Sequence, residues 1–198
     1  MSKILLDKYY TPIDISIKCI GKTLEICKDI TEIIEPSAGD GSFSLNIPNC
    51  IAYDIEPEHE SIIKQDFLKL DIEYKKGRLF IGNPPFGNKN LLVRKFYTKC
   101  VELGDFISFI LPITQLENTQ SLYKFNLLYS EDLGILKFSD REVHCCLNIY
   151  GRNEDGTLNS KENYKLKDID VVEYKRPRKL ILDKFDYSIC SWGNIRGL

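Results

Sequence analysis

The fold is decided by residues 30–41, which read ITEIIEPSAGDG. The first half, Ile30-Thr31-Glu32-Ile33-Ile34, is a short, largely β-branched apolar run of the kind that forms a buried strand. The second half, Glu35-Pro36-Ser37-Ala38-Gly39-Asp40-Gly41, contains the glycines of a tight turn, where the backbone can approach a ligand closely. The stretch therefore predicts a buried strand that runs directly into a glycine-rich turn.

Three more predicted strands downstream end in polar residues. Strands at 50–53 and 62–65 stop at Asp54 and Asp66, and a strand at 78–82 runs into Asn83-Pro84-Pro85-Phe86-Gly87. The two prolines must end that last strand because they cannot donate to a sheet. In open parallel sheets, ligands bind at the carboxyl ends of the strands. We therefore expect these four strand ends to converge on one site.

Two helices are predicted from apolar spacing. The first follows Pro12, with an apolar stripe of Ile13, Ile17, Ile20, Leu24 and Cys27. The second carries its stripe at Leu92, Phe96, Cys100 and Leu103. Recurrence at three- and four-residue intervals is typical of an amphipathic helix with one buried face. A third helix is predicted at about 118–129.

The remaining strands complete the predicted fold class. A buried strand is predicted at 105–111, and strands at 134–138 and 144–150 have no helix between them. That last pair is expected to form an antiparallel hairpin at a sheet edge. Strands that otherwise alternate with helices indicate an α/β protein with a mostly parallel sheet.

Composition indicates a globular protein. The chain has 198 residues, of which 43% are apolar and 28% charged, with a net charge of -2. This length favours one domain, and the composition excludes disordered and fibrous classes. No apolar run approaches the ~18 residues of a membrane span, and the first residues lack a signal-peptide pattern. We expect a soluble, intracellular (cytoplasmic) protein with no membrane partner.

Cysteine and histidine usage argues against metal and thiol chemistry. The seven cysteines are irregularly spaced without a Cys-x-x-Cys pair, and His59 and His144 are the only histidines. An odd number of cysteines within apolar runs is typical of reduced core thiols. We therefore expect no metal site and no Cys-His catalytic pair.

The charge is uneven along the chain. Residues 161–198 contain 9 basic and 6 acidic side chains, and the densest basic cluster is Lys175, Arg176, Arg178 and Lys179. Such a cluster has two interpretations, a solvated linker or a strip that contacts nucleic-acid phosphates. Charge alone does not choose between them.

The strand-end motifs suggest a cofactor that carries adenosine without a pyrophosphate. The turn at 35–41 is neither the Gly-x-Gly-x-x-Gly nor the Gly-Lys-Ser/Thr phosphate motif. A carboxylate at the end of the second strand, here Asp54, is placed to accept hydrogen bonds from ribose hydroxyls. Rigid prolines beside Asn83 hold carbonyls as acceptors for an NH₂ group, and Phe86 offers a face on which a base can stack.

This set of motifs resembles the S-adenosylmethionine-dependent methyltransferases, and within them the DNA adenine-N6 methyltransferases of the Asn-Pro-Pro-Phe type. The residues that carry the resemblance are Tyr10-Thr11-Pro12, 35–43, Asp54, Asp66-Phe67 and Asn83-Pro84-Pro85-Phe86. It extends over roughly residues 8–152. It implies a Rossmann-like class I methyltransferase fold with a seven-stranded, mostly parallel sheet and an antiparallel edge hairpin. It also implies a DNA substrate whose target base is flipped, as in restriction–modification systems.

The resemblance implies roles for individual residues. Asn83, Pro84, Pro85 and Phe86 would form the catalytic segment, in which Asn83 and the Pro84 carbonyl accept from the target amine and Phe86 stacks on the base. The S-adenosylmethionine site would comprise Tyr10, Thr11, Pro12, Glu35, Pro36, Ser37, Ala38, Gly39, Asp54, Ile55, Asp66, Phe67 and Asn83. Lys175, Arg176, Arg178 and Lys179 would contact nucleic acid.

The chain departs from the family after its predicted sheet. Sequence-specific DNA members usually carry a separate recognition domain, whereas about 45 residues follow Tyr150 here, too few for another core. We expect a catalytic domain at 1–152 and an extension at 153–198, which is either the start of a truncated recognition region or part of a minimal enzyme. A recognition partner is a further alternative. The rival functions are methylation of RNA adenine or protein glutamine, and a catalytically idle methyltransferase-fold subunit.

Overall fold

The computed structural model describes residues 10–138, 141–161, 188–189 and 195–196. The chain divides into two units, Met1–Glu162 and Asn163–Leu198. In the second unit, the described residues form two short antiparallel strands at Ser188–Ile189 and Ile195–Arg196. The residues of the predicted basic cluster, Lys175, Arg176, Arg178 and Lys179, lie outside the described part of the chain.

The first unit contains one seven-stranded sheet. Its strands are β1 (Glu32–Glu35), β2 (Ile51–Asp54), β3 (Ile63–Lys64), β4 (Arg78–Gly82), β5 (Phe106–Pro112), β6 (Asn126–Phe138) and β7 (Arg141–Gly151). They lie in the order β3-β2-β1-β4-β5-β7-β6. The first five strands are parallel, and β7 runs antiparallel to both β5 and β6. The predicted α/β fold, with its mostly parallel sheet and antiparallel edge hairpin, is therefore confirmed.

The second predicted helix is confirmed together with its buried face. Helix α2 spans Leu91–Leu103, and Phe96, Cys100 and Leu103 of the predicted stripe are buried. All five residues of β4 are buried as well. Strands of parallel sheets are covered on both faces, which is why β4 is continuously apolar apart from its first residue.

The first helix forms as predicted, and Ile20 and Cys27 of its predicted apolar stripe are buried, but the other three residues of the stripe are exposed. Helix α1 spans Ile13–Ile26 and buries Ser16, Cys19, Ile20 and Thr23. Ile13, Ile17 and Leu24, placed in the core by their spacing, are 63%, 53% and 45% exposed. The Thr23 hydroxyl lies 2.7 Å from the Ser108 hydroxyl on β5 and donates to the Cys19 carbonyl. Small polar side chains therefore bring α1 close to the sheet and rotate its larger apolar residues outward.

The third predicted helix does not form. Residues 126–138 are strand β6, and the segment before it contains a short 3-10 turn at Ile113–Gln115. Strand β6 pairs with β7 along its length, with register shifts between Leu127 and Tyr129 and between Asp132 and Gly134. Pairing with β7, the next strand of the hairpin, overrides the local helical preference of this segment, as is common for β structure.

A partly buried ion pair stabilises the end of the sheet opposite the strand carboxyl ends. Asp105, just before β5, accepts from Arg152 Nε at 2.8 Å and from the Gly77 amide at 2.8 Å. Arg152 also donates to the Val101 and Gly104 carbonyls. Within the described residues, no helix is long and apolar enough to cross a membrane.

Candidate functional site

A cavity of about 510 Å³ lies where the carboxyl ends of β1, β2, β3 and β4 meet. This volume falls within the ~300–1,000 Å³ of typical cofactor and small-molecule sites. The predicted site residues that line it are Tyr10, Thr11, Glu35, Pro36, Ser37, Ala38, Gly39, Asp54, Ile55, Asp66, Phe67, Asn83 and Pro85. The parallel topology thus brings together motifs that are far apart in the sequence.

Three predicted residues lie outside this lining. Pro12 precedes α1 and does not border the cavity, and neither Pro84 nor Phe86 does. Phe86 is 8% exposed and belongs to the main hydrophobic core. The stacking role assigned to Phe86 remains a prediction, and it requires a movement that exposes this ring.

Sequence reasoning missed several residues of the cavity wall. These are Asp40, Ser42, Phe43, Gln65, Leu68, Gly87, Asn88, Leu91, Leu92 and Phe96. Leu92 and Phe96 were assigned only to the buried face of a helix, and nothing in that spacing distinguishes a cavity wall from ordinary core. The sequence did offer a reason to expect three of these residues in the site: Asp40, Ser42 and Phe43 lie within or beside the glycine-rich turn.

Asp54 fixes the glycine-rich turn to the end of β2. Its Oδ2 accepts from the Gly39 amide at 2.8 Å, and its Oδ1 accepts from the Glu56 amide at 2.8 Å. Gly39 has a φ of +54°, a left-handed conformation that favours glycine. A carboxylate has about four lone-pair sites, so Asp54 retains acceptor capacity beyond these two amides.

The Tyr10 side chain packs over this turn. A side chain at Gly39 would place its Cβ 3.7 Å from the Tyr10 ring. The Tyr10 hydroxyl donates to the Glu58 carboxylate, and the Glu58 amide donates to the Gly39 carbonyl at 3.0 Å. The segment before α1 and the segment after β2 therefore meet at Gly39 and form one wall of the cavity.

Asp66 stabilises the next cavity segment. Its carboxylate accepts from the Leu68 amide at 3.0 Å, which caps a 3-10 turn at Phe67–Lys69, and it forms an ion pair with Lys69 at 3.3 Å. The Phe67 ring is buried and packs against Phe96 of α2, with centroids 5.6 Å apart. This part of the cavity joins an acidic group to an apolar, aromatic wall.

Asn83 stands at the end of β4, held by the segment before α1. Its Nδ2 donates to the Thr11 hydroxyl at 3.2 Å, and Thr11 is buried. Because the amide nitrogen contacts Thr11, the Asn83 carbonyl oxygen is the end of the side chain suited to accept from a ligand amine. Thr11 is thus a positioning residue for Asn83.

Glu35 is the most buried carboxylate of the cavity wall, at 2% exposure. Its Oε2 accepts from the Ser44 amide at 2.8 Å, and a Cβ at Gly82 would lie 3.3 Å from its Cγ. Burial, with a smaller contribution from the negative charge of Asp40, raises the pKa of Glu35 to about 8 against the lowering effect of hydrogen bonds from Ser44 and Phe43. The surroundings of Glu35 therefore favour its neutral form over its carboxylate.

The Ser37 hydroxyl oxygen is buried and forms no hydrogen bond among the described residues. Ser37 lines the cavity. Buried hydroxyls in proteins are usually hydrogen-bonded, so such an atom in a cavity wall favours a polar ligand there. Acidic groups, an aromatic wall and this hydroxyl together fit a ligand with a purine, a ribose and a positive charge.

We expect Glu35→Gln to change how stability depends on pH. The pKa of Glu35 is raised from 4.5 to about 8 in the folded protein, so its contribution to stability is complete below about pH 4.5 and is lost as pH rises through 8. Glutamine stays neutral and its oxygen can still accept from the Ser44 amide. From about pH 5 to about pH 9, the wild type should lose up to several kcal/mol relative to the variant, at about 1.36 kcal/mol per pKa unit.

Urea unfolding at several pH values measures this difference. The matched control is Glu60→Gln, which makes the same replacement at an exposed position. Its free energy of unfolding should stay parallel to that of the wild type across the range. If the wild type and Glu35→Gln curves are parallel instead, Glu35 does not hold the raised pKa.

The fold is shared with solved structures, although no family model and no curated protein matches the chain. A putative RNA methyltransferase from Pyrococcus horikoshii aligns with a TM-score of 0.60 and 14% identity over 76% of this chain and 89% of that one. The 23S rRNA methyltransferase ErmE aligns with a TM-score of 0.55 and 14% identity over 77% of this chain and 73% of its own.

A third solved structure with this fold is a modification subunit of a putative type I restriction enzyme from Vibrio vulnificus. It aligns with a TM-score of 0.56 and 12% identity over 73% of this chain and 44% of its own. At such low identities, the likeness establishes the fold alone. The fold is the Rossmann-like α/β arrangement of class I methyltransferases, with the predicted seven strands.

Proposed function

We propose that this protein is an S-adenosylmethionine-dependent methyltransferase that acts on the exocyclic N6 amine of adenine in DNA. The observation that carries the proposal is the convergence of Glu35, Asp54, Asp66 and Asn83 on one cavity at the strand carboxyl ends. The cofactor, when bound, supplies an electrophilic methyl group on a positively charged sulfur. The fold shared with solved methyltransferases supports the methyltransferase part of this proposal, whereas the choice of adenine N6 in DNA rests on the Asn83-Pro84-Pro85-Phe86 motif.

The cofactor site is proposed from the cavity wall. Asp54 would accept from the ribose hydroxyls with the lone pairs that the Gly39 and Glu56 amides do not use. Asp66 would accept from the amino group of the cofactor adenine, and the apolar side chains of Ile55 and Phe67 would lie against its ring. Glu35 and the turn at Ala38 and Gly39 would lie beside the methionine portion.

Asn83 and the Pro84 carbonyl would act on the target amine. The N6 lone pair of adenine is delocalised into the ring, which makes this nitrogen a weak nucleophile. Two acceptors at the amine hydrogens favour the sp³ nitrogen that attacks the methyl group and stabilise the positive charge that develops on it. This help is greatest in the transition state, where catalysis needs it.

The nucleic-acid class of the substrate has two candidates. The Asn83-Pro84-Pro85-Phe86 motif favours DNA, because relatives that act on RNA adenine or protein glutamine more often have Tyr in the last position. RNA is the second candidate, since this chain spans 89% of the RNA methyltransferase it resembles but 44% of the restriction subunit. Reaching adenine N6 within a duplex requires base flipping, at a cost of a few kcal/mol.

The experiment that tests the proposal uses methyl-deuterated S-adenosylmethionine. The full chain is incubated separately with unmethylated genomic DNA, total RNA and cell protein, and each is hydrolysed and searched by mass spectrometry for the labelled methyl. We expect label on deoxyadenosine N6. If the label is on RNA adenosine or on glutamine, the reaction is as proposed but the substrate is not DNA. If the cofactor binds and no label is found, either a recognition part is missing or the protein is a catalytically idle subunit.

The extension at 153–198 is proposed to take part in nucleic-acid recognition, alone or with a partner. Replacing Lys175, Arg176, Arg178 and Lys179 together by alanine should weaken DNA binding and flatten its dependence on salt. Each lost phosphate contact lowers the slope of log K against log salt by about 0.9 for duplex DNA. Fluorescence anisotropy at several salt concentrations measures this slope, and an unchanged slope would support the linker interpretation.

A further inference from the structure

The Glu35 carboxyl occupies an unusual place in the cavity wall. It is 2% exposed, whereas Asp54 and Asp66, which also accept from backbone amides, are only half-buried. The groups that favour its charged form are neutral donors, namely Ser44, whose amide lies 2.8 Å from Oε2, and the Phe43 backbone. Neutral donors offset only part of the free energy of removing a carboxylate from water, so burial favours the neutral acid.

The titratable groups around Glu35 do not favour its charged form. Asp40, on the same turn, raises the pKa of Glu35 by charge repulsion. Cys50, which precedes β2, has a pKa raised to about 12 by burial and is a neutral thiol. Gly82 on β4 brings only backbone near the Glu35 Cγ. A cation in the cavity would change this balance, because an opposite charge within ~4–6 Å favours a carboxylate.

We propose that Glu35 is protonated in the free protein and releases its proton when a positively charged ligand occupies the cavity. This inference rests on the proposed function, which supplies such a ligand in S-adenosylmethionine. The proton passes to the solvent, and the carboxylate that remains pairs with the positive charge of the ligand. Glu35 therefore selects a cationic donor over a neutral nucleoside and couples donor affinity to pH.

The coupling has a definite direction. Below about pH 8, donor binding has to displace a proton from Glu35, so the dissociation constant falls as the pH rises, by up to about tenfold per pH unit. At about pH 7 we expect close to one proton released per donor bound. In Glu35→Gln this contribution is absent, so the difference between wild type and variant isolates Glu35 from the titration of the donor itself.

Two measurements on the full chain test the inference. Carbon-13 NMR of protein labelled at the glutamate carboxyls should show one resonance that titrates near pH 8 and is missing in Glu35→Gln. At about pH 7, S-adenosylmethionine should move this resonance to its carboxylate position, whereas saturating adenosine should not. Calorimetry in buffers of different ionisation enthalpy then counts the protons released, with the exposed Glu60→Gln as a control that behaves like the wild type.

The possible results separate the inference from the proposed function. A Glu35 resonance that titrates near pH 4.5 without ligand would overturn the inference, as would displacement of the proton by adenosine. Donor-induced shifts elsewhere, with Glu35 still protonated, would overturn the inference and leave the proposed cofactor intact. If the donor changes no resonance and produces no heat, both the cofactor assignment and the inference fail.

Discussion

Asn83→Ala is expected to lower the rate of methyl transfer at least a hundredfold while leaving S-adenosylmethionine affinity within a few fold. The alanine removes the amide carbonyl that would accept from the target amine, and acceptors aimed at developing charge act mainly in the transition state. Removal of one such group from other enzymes costs about 10²–10³ in rate. Single-turnover rates with saturating cofactor, together with calorimetric affinities, separate the two effects.

Two control variants test whether the effect is specific to the site and whether it depends on the orientation of the Asn83 side chain. Asn126→Ala removes an exposed asparagine at the start of β6, at the opposite edge of the sheet, and should leave the rate unchanged. Thr11→Val keeps the shape of a buried side chain but removes the hydroxyl that accepts from Asn83 Nδ2 at 3.2 Å. Its rate should fall between those of wild type and Asn83→Ala. If Asn83→Ala transfers methyl groups at the wild-type rate, Asn83 is not a catalytic residue.

Asp54→Ala is expected to weaken S-adenosylmethionine binding about 5- to 150-fold, which corresponds to about 1–3 kcal/mol for a lost charged hydrogen bond. The substitution also removes the acceptor of the Gly39 and Glu56 amides, so the glycine-rich turn loses its link to β2. We therefore expect the free energy of unfolding to fall by about 1–3 kcal/mol as well. Calorimetry and urea unfolding measure the two losses.

Asp54→Asn separates the two roles of this carboxylate. The asparagine oxygen can still accept from one of the two amides, but its NH₂ cannot accept from a ribose hydroxyl. Stability should recover in part, while affinity stays low. If Asp54→Asn binds the cofactor as tightly as the wild type, Asp54 acts only on the turn and the ribose assignment is wrong.

Much of the site was predictable because its residues follow strands. A strand followed by a polar turn is a local pattern, and parallel strands place their carboxyl ends at one edge whatever lies between them. Glu35, Asp54, Asp66 and Asn83 could therefore be assigned to one site before the structure was known. Their roles toward a cofactor and a target base remain predictions.

Contacts between segments that are far apart in the sequence could not be predicted from local sequence patterns. The Tyr10–Glu58 hydrogen bond and the Phe67–Phe96 stacking join parts of the chain that share no spacing rule. Leu92 and Phe96 belong to an apolar stripe of α2. Such a stripe predicts that its residues are buried, but it does not predict whether they pack in the core or line a cavity. The extra length of β6 likewise depends on β7, which supplies the hydrogen bonds for residues 126–133.

The sequence by itself determined the α/β class, the succession of strands along the chain and the end of the sheet at which the polar motifs meet, because these follow from short-range periodicity and strand direction. The tertiary structure alone decided which face of α1 is buried and that Glu35 is removed from water. Both depend on what packs against a side chain. The Thr23–Ser108 contact joins the small polar face of α1 to β5, and burial raises the pKa of Glu35 well above that of an exposed glutamate.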